Sequence, residues 1–273
     1  MSAQRPPSVV VCGSLDEMNE RAAEAFVNIA GGSLAASGVF TVALAGGKTP
    51  EGLYRLLATD KYIEKVKWEK VHFFWGDERA AGPLSRESNY RMCSEALLEK
   101  LKMPVSNIHR IKGENGARAA LDYEKEVAGF FKLRPDAFPE FALMLLGMGA
   151  DGHTASIFPK SAAVNEKNRI AVAVYVEGFN PRPALLREGV EPPQGGGDKE
   201  RAIATRITLT PPVLMNARNI IFLVSGKDKA EALFKCLEGS FVPEETPAQF
   251  ARLAKGHVTW IVDTDAASRL SGI

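Results

Sequence analysis

Short apolar segments that alternate with helical patterns run through this 273-residue chain and constrain its fold more than any other feature. The apolar segments are rich in β-branched and aromatic residues, which is typical of strands buried on both faces of a parallel sheet. They lie at 8–13, 39–46, 71–77, 141–147, 170–176, 219–226 and 258–263. Between the first two, a helix with one apolar stripe is predicted by the spacing of Leu15, Met18, Ala22, Ala25, Phe26 and Ile29. The βαβα order predicts an α/β fold with a doubly wound, mainly parallel sheet flanked by helices.

Composition narrows the classes of function. The 34 Lys and Arg residues nearly balance the 33 Asp and Glu residues. The chain therefore lacks the excess of positive charge that is typical of nucleic-acid-binding proteins. Because no signal peptide or membrane-length apolar segment is recognisable, we expect a cytoplasmic protein without a membrane partner. We also expect a monomer, since no apolar surface helix is obvious.

Cysteine and histidine spacing predicts no metal site. Cys12, Cys93 and Cys236 are far apart, and we interpret them as reduced structural thiols. No two histidines have metal-ligand spacing, and we expect His72, His109 and His257 to be structural.

One compositional break occurs, at 187–200, where prolines, three glycines and charges leave little to pack. This segment is either a surface loop or a flap that closes over a site. We expect it to be a flexible loop within a single α/β domain spanning 1–273.

The turn after the strand at 141–147 carries the strongest candidate for catalysis. Gly147, Gly149 and Gly152 formally match a dinucleotide fingerprint, but the long helix and the correctly spaced acidic residue that it needs are not predicted. We therefore expect no cofactor. Asp151 and His153 are two residues apart, so the carboxylate can orient the imidazole as a general base, unless the turn is merely polar.

Two other strand ends are candidate binding turns. Gly46, Gly47 and Lys48 precede a helix expected to begin near Glu51, with Thr49 and Pro50 as its cap and first turn, and exposed amides there can bind an anion.

The second candidate is the charged turn after the strand at 71–77. Arg79 suits a phosphate, whereas Asp77 can hold sugar hydroxyls or position a water molecule. A helix is predicted to start at Ser88 and Asn89. For either turn, a purely structural role is the alternative.

Four motifs in fixed order then carry a resemblance: GGKTP, GDER with SNYRM, GMGADGHTASIFP, and ATRITLTPPVLMNARNIIFLVSGKDKAEAL. Together they strongly resemble the glucosamine-6-phosphate isomerase/6-phosphogluconolactonase family over nearly the whole chain. The deaminases of this family share the fold but have a DGHIAFNEP-like stretch, whereas Thr154, Ser156, Ile157 and Phe158 favour a lactonase here.

The resemblance implies roles for individual residues. His153 is implied to activate water with Asp151 nearby, and Asp77 and Arg79 match the acidic turn. Substrate or phosphate contacts are implied for Gly46, Gly47, Lys48, Arg79, Gly149, Arg201 and Arg206. The family has a phosphate-binding lysine in an SPKPPPERITL-like segment; counting back from Arg206, Arg201 takes its place, and Lys199 lies close by.

The implied reaction is hydrolysis of 6-phospho-D-glucono-1,5-lactone to 6-phosphogluconate in the oxidative pentose phosphate pathway. His153 would act as general base for water, without metal or cofactor. Ser156 is not expected to be a nucleophile, because no nucleophile elbow surrounds it. The alternatives are a phosphosugar deaminase or isomerase, and a nucleotide-binding or catalytically silent sensor.

Overall fold

The structure, a computed structural model, describes residues 7–177 and 203–272. Its strands are β1 (Ser8–Cys12), β2 (Phe40–Leu44), β3 (Val71–Trp75), β4 (Asp77–Arg79), β5 (Leu143–Leu146), β6 (Ala171–Glu177), β7 (Ile203–Leu209), β8 (Asn219–Val224) and β9 (His257–Asp263). Its α-helices are α1 (Leu15–Ser37), α2 (Lys48–Leu57), α3 (Asp60–Ile63), α4 (Asn89–Ala96), α5 (Ala119–Phe130), α6 (Pro211–Asn216), α7 (Ala230–Leu237) and α8 (Thr264–Ala267). Short 3₁₀ helices occur at Trp68–Lys70, Leu98–Lys100, Val105–Asn107, Gly113–Arg118, Ala162–Asn165, Lys227–Lys229 and Pro247–Leu253.

The central sheet is parallel and follows the order β1-β9-β8-β5-β2-β3. Its inner strands are buried on both faces, as their unbroken apolar sequences predict; every residue of β2 and of β5 is buried. β2 and β5 pair only through Val42 with Leu143 and Ala43 with Met144, and they diverge beyond these pairs. The chain order reverses between these two strands, so a crevice forms at their carboxyl ends.

A second, antiparallel sheet of order β4-β7-β6 lies beside the first. The segment at 170–176 is a strand, as predicted, but its assignment to the parallel sheet was wrong: β6 pairs antiparallel with β7. The side chains from Ala171 to Val176 are all buried, and continuous burial gives the same sequence pattern in either kind of sheet. The charged trio at 77–79, expected as a turn, is the short strand β4.

Helix α1 shows why the predicted elements form. The Ser14 side chain caps it by accepting a hydrogen bond from the Glu17 amide at 3.1 Å, and Gly38 ends it with φ of 74°. Met18, Ala22 and Phe26 are fully buried, as the apolar stripe predicts, whereas Leu15 is 54% exposed and does not belong to it. Within the described ranges, no helix combines the length and the apolar content that a transmembrane segment needs.

One hydrophobic core connects the two sheets and the helices around them. Cys12, Cys93 and Cys236 are buried and unpaired, which confirms the prediction of structural thiols.

Candidate active site

A cavity of about 270 Å³ lies at the carboxyl ends of β2, β3, β5 and β8. This is the edge of a doubly wound sheet where ligands bind. The small sheet adds side chains from β4 and β7 to its wall. The polar and glycine positions that line the cavity are Gly46, Gly47, Lys48, Thr49, Gly76, Asp77, Arg79, Asn89, Gly147, Gly149, His153, Arg206, Ser225 and Lys229.

His153 reaches this cavity on a tight turn that follows β5. The Thr154 hydroxyl donates to the Gly147 carbonyl at 2.9 Å, and the Gly149 amide donates to the His153 carbonyl at 2.9 Å. A Cβ atom at Gly149 would lie 2.1 Å from the His153 Nδ1 atom, so only glycine leaves room for the ring. The segment after Gly152 forms turns, as predicted, rather than the long helix that a dinucleotide fingerprint needs.

Asp151 holds the His153 ring without lining the cavity itself. Its Oδ1 atom lies 2.6 Å from His153 Nδ1 and accepts a hydrogen bond from the His153 amide at 3.1 Å. Burial raises the pKa of Asp151, but the hydrogen bonds and charge of His153 outweigh it and leave the pKa below its ordinary value. An ionised Asp151 accepts Nδ1–H, which leaves Nε2 of a neutral His153 as the proton acceptor.

Two arginines face each other across the small sheet. Arg79 of β4 pairs in register with Arg206 of β7, and both side chains line the cavity. The Nε atoms of both are buried and have no hydrogen-bond partner in the part of the chain that the structure describes. Burial and then the charge of Arg79 lower the pKa of Arg206 below its ordinary range. Because two neighbouring guanidinium groups repel, an anion between them would relieve an unfavourable arrangement.

Arg206 and His153 contact the same aromatic ring. The Arg206 Cζ atom lies 5.8 Å from the ring centroid of Phe158, and the His153 and Phe158 centroids are 4.5 Å apart. The cation and the imidazole are therefore within reach of a single small ligand.

Asp77 is 7% exposed and is held by two other elements. Its Oδ2 atom accepts a 2.6 Å hydrogen bond from the Ser156 hydroxyl, which is fully buried. Asn89 Nδ2 donates to the Asp77 carbonyl at 2.8 Å and to its Oδ1 atom at 3.2 Å. Ser156 thus supports Asp77 and does not line the cavity.

The helix that follows the glycine turn after β2 begins earlier than predicted. Helix α2 begins at Lys48 with Gly47 as its N-cap at φ of 101°, so Thr49 and Pro50 lie inside the first turn. Since glycine alone adopts this φ readily, the chain turns into the helix earlier than the proline signal suggests.

Two buried tyrosines fix the strand ends that lead into the cavity. The Tyr54 hydroxyl accepts from the Ala45 amide at 3.0 Å and donates to the Ala45 carbonyl at 2.8 Å. Tyr123 makes the same pair of bonds to Trp75, at 2.9 and 3.0 Å. Each hydroxyl satisfies backbone groups where a neighbouring strand is missing, and so fixes the residues that follow.

Most of the predicted site residues therefore converge on one cavity. Arg201, Lys199 and the loop at 187–200 lie outside the described residues, so their roles stay predictions. The sequence interpretation missed Ser225 and Lys229, which follow β8, although the same strand-end reasoning would have found them. It placed Asn89 at a helix start, where the structure confirms it, but gave it no role.

Comparisons with known proteins show which family this chain resembles. A family model described as glucosamine-6-phosphate isomerases/6-phosphogluconolactonase matches residues 13–260. The 6-phosphogluconolactonase of Synechocystis sp. is 34% identical over 240 residues, which cover 87% of this chain and 88% of that protein.

Solved structures show the same architecture. The 6-phosphogluconolactonase from Trypanosoma cruzi superposes with a TM-score of 0.78 at 29% identity, over 98% of this chain and 99% of that one. A monomeric glucosamine-6-phosphate deaminase shares the fold at 21% identity, with a TM-score of 0.73 over 96% of this chain and 99% of its own. The chain belongs to the glucosamine-6-phosphate isomerase/6-phosphogluconolactonase family.

Proposed function

We propose that this protein hydrolyses 6-phospho-D-glucono-1,5-lactone to 6-phosphogluconate, with His153 as the general base that activates water. The related proteins named 6-phosphogluconolactonase support the substrate. The observation that carries the proposal is the juxtaposition of an oriented imidazole and two arginines with unpartnered Nε atoms in one cavity.

The phosphate would lie against the arginines. Arg79 and Arg206 offer buried N–H donors, and charge-assisted bonds to phosphate oxygens are stronger than those between neutral groups. Lys48 and Lys229 also line the cavity and add positive charge. This anchoring would fix the distant lactone ring, so that the reaction gains from positioning as well as from chemistry.

The lactone C1 atom would then lie beside His153. Nε2 takes a proton from water as the water oxygen attacks C1, while Nδ1–H keeps its bond to Asp151, which stabilises the imidazolium that forms. The proton then passes to the ring oxygen as the C1–O bond breaks, which yields the open-chain acid.

Two further groups would assist. Backbone amides at the start of α2, next to Gly46 and Gly47, can stabilise the oxyanion that develops on the C1 carbonyl. Asp77, with one oxygen held by Ser156, can accept a hydrogen bond from a sugar hydroxyl or from the attacking water.

The test compares acid release from 6-phosphogluconolactone with release from gluconolactone, which lacks the phosphate. Each charge-assisted bond contributes about 1.5–3 kcal/mol, so losing two should lower kcat/KM by about 10²–10⁴-fold. Glucosamine 6-phosphate serves as the control substrate, and no ammonia release is expected from it. Equal kcat/KM for both lactones would contradict the anion site, and deamination would favour the alternative chemistry.

A further inference from the structure

Glu78 is a buried carboxylate next to the cavity that does not line it. It lies in the middle of β4 and is 2% exposed. Its Oε1 atom accepts hydrogen bonds from the amides of Arg79 and Asn89, both at 2.8 Å. Its Oε2 atom accepts from the Tyr90 amide at 2.8 Å and from the Ser88 hydroxyl at 3.0 Å. Four hydrogen-bond donors therefore converge on the Glu78 carboxylate. An ionised carboxylate can accept all four bonds, because both of its oxygens are acceptors.

These bonds join β4 to the beginning of α4. The first amides of a helix have no partner within the helix, and a negative charge there is favourable. The ordinary cap is already supplied by Ser88, whose hydroxyl accepts from the Arg91 amide at 3.1 Å. Glu78 thus does more than cap α4, because its hydrogen bonds also fix the position of the helix relative to β4.

Asn89, the first residue of α4, is the contact between this junction and the cavity. Its Oδ1 atom accepts a 2.8 Å hydrogen bond from Arg79 Nη1, and its Nδ2 atom donates to Asp77. A Cβ atom at Gly46 would lie 1.9 Å from Asn89 Oδ1, so the amide also packs against the glycine turn. The Asn89 side chain therefore contacts two of the chain segments that form the cavity wall, β4 and the glycine turn after β2.

We propose that Glu78 is a positioning residue: by holding the first turn of α4 it places the Asn89 amide, which aligns Arg79 and Asp77 for the phosphosugar. This inference rests on the proposed lactonase function. Without the carboxylate, the helix start moves and Arg79 loses its fixed orientation, although no group that contacts substrate has been removed.

The test uses Glu78→Gln, which keeps the shape but places an amide NH₂ against backbone donors. We expect kcat/KM for 6-phosphogluconolactone to fall by about 10–10²-fold, mainly through KM, and to fall less for gluconolactone, because Arg79 is the group displaced. A general loss of folded protein would lower the apparent kcat/KM equally for both substrates. Asn89→Ala should reproduce the loss, and the double variant should be no worse than Asn89→Ala alone.

Ser14→Ala is the matched control. It removes the side-chain cap of α1, a helix that does not line the cavity, and should lower the Tm while kcat/KM stays close to the wild-type value. If Glu78→Gln does not fold, Glu78→Asp, which keeps the charge but draws the carboxylate back from the α4 amides, carries the test and should show the same loss. Wild-type turnover by folded Glu78→Gln or Asn89→Ala, or multiplied losses in the double variant, would overturn the proposal.

The Kd for 6-phosphogluconate, measured by calorimetry on the same proteins, separates the two possible failures. If the wild-type protein does not hydrolyse the lactone, the function proposed above is wrong. A larger Kd for Glu78→Gln than for the wild-type protein would still support the positioning role in that case. An unchanged Kd in that variant contradicts it.

Discussion

Residues 7–177 and 203–272 contain two histidine–carboxylate pairs with the same local chemistry and different surroundings. Asp151 lies 2.6 Å from Nδ1 of His153, and Glu126 lies 3.0 Å from Nδ1 of His109. In both pairs a carboxylate fixes the ring through the same nitrogen. A histidine beside a carboxylate is therefore not sufficient evidence of a catalytic base.

The difference lies at the second nitrogen of each ring. His109 Nε2 is 3.1 Å from Nδ1 of His72, and the His109 ring stacks on Phe74 with centroids 4.3 Å apart. Its side chain is 12% exposed, against 31% for His153, which lines the cavity. Within the described ranges, Nε2 of His153 has no hydrogen-bond partner. Access to Nε2, rather than the carboxylate, therefore distinguishes the proposed base, His153, from the enclosed imidazole of His109.

The largest expected effect comes from deleting each imidazole. His153→Ala should lower kcat by about 10²–10⁴-fold with little change in Tm, because a general base contributes on this scale and a turn residue packs little core. His109→Ala should leave kcat unchanged but cost about 1–3 kcal/mol of unfolding free energy, since His72 and Glu126 lose a partner. Steady-state kinetics and urea unfolding measure both; a slow His109→Ala enzyme would remove the distinction.

Neutralising either carboxylate should have a smaller effect than deleting the imidazole that it holds. Asp151→Asn can donate to Nδ1 and so favours the tautomer with the proton on Nε2, which should lower kcat on the order of 10²-fold. Glu126→Gln alters the equivalent bond at His109 and should change Tm alone. Equal kcat values in the two variants would show that Asp151 does not orient a base.

A still smaller effect is expected for the pH dependence of stability at the partly buried pair of His72 and His109. Burial, followed by the nearby His109, lowers the pKa of His72 below its ordinary value of 6.5. As pH falls below about 6.5 the unfolded chain binds a proton that the folded chain does not, so stability falls by up to about 1.4 kcal/mol per pH unit. This loss ends once pH is below the folded-state pKa.

His72→Gln provides the matched variant for that prediction, because its amide can still donate to His109. The difference in unfolding free energy between wild type and variant should be constant above pH 7 and shift against wild type below pH 6.5. Parallel pH curves for the two proteins would contradict the assignment.

Sequence patterns predicted the elements better than their partners. Continuous burial located β6 but concealed that it belongs to the antiparallel sheet. β7 was missed as a strand because Thr205, Arg206 and Thr208 interrupt its apolar pattern. Arg206 lines the cavity, and Thr208 accepts a hydrogen bond from the Ser156 amide, so its polarity serves the site.

For the candidate site, a contact between residues close in the sequence could be predicted from their spacing, whereas contacts between distant residues could not. The two-residue spacing of Asp151 and His153 was enough to predict their contact, since a turn brings such side chains together. No spacing connects Glu78 with Asn89, eleven residues apart, because the bond depends on how α4 packs on β4.

The most direct test is a crystal structure of the complex with 6-phosphogluconate. We expect the C1 carboxylate within hydrogen-bonding reach of Nε2 of His153, and the phosphate against Arg79 and Arg206 with bonds to their Nε groups. A complex with the phosphate at His153, or with the imidazole turned away from C1, would contradict it.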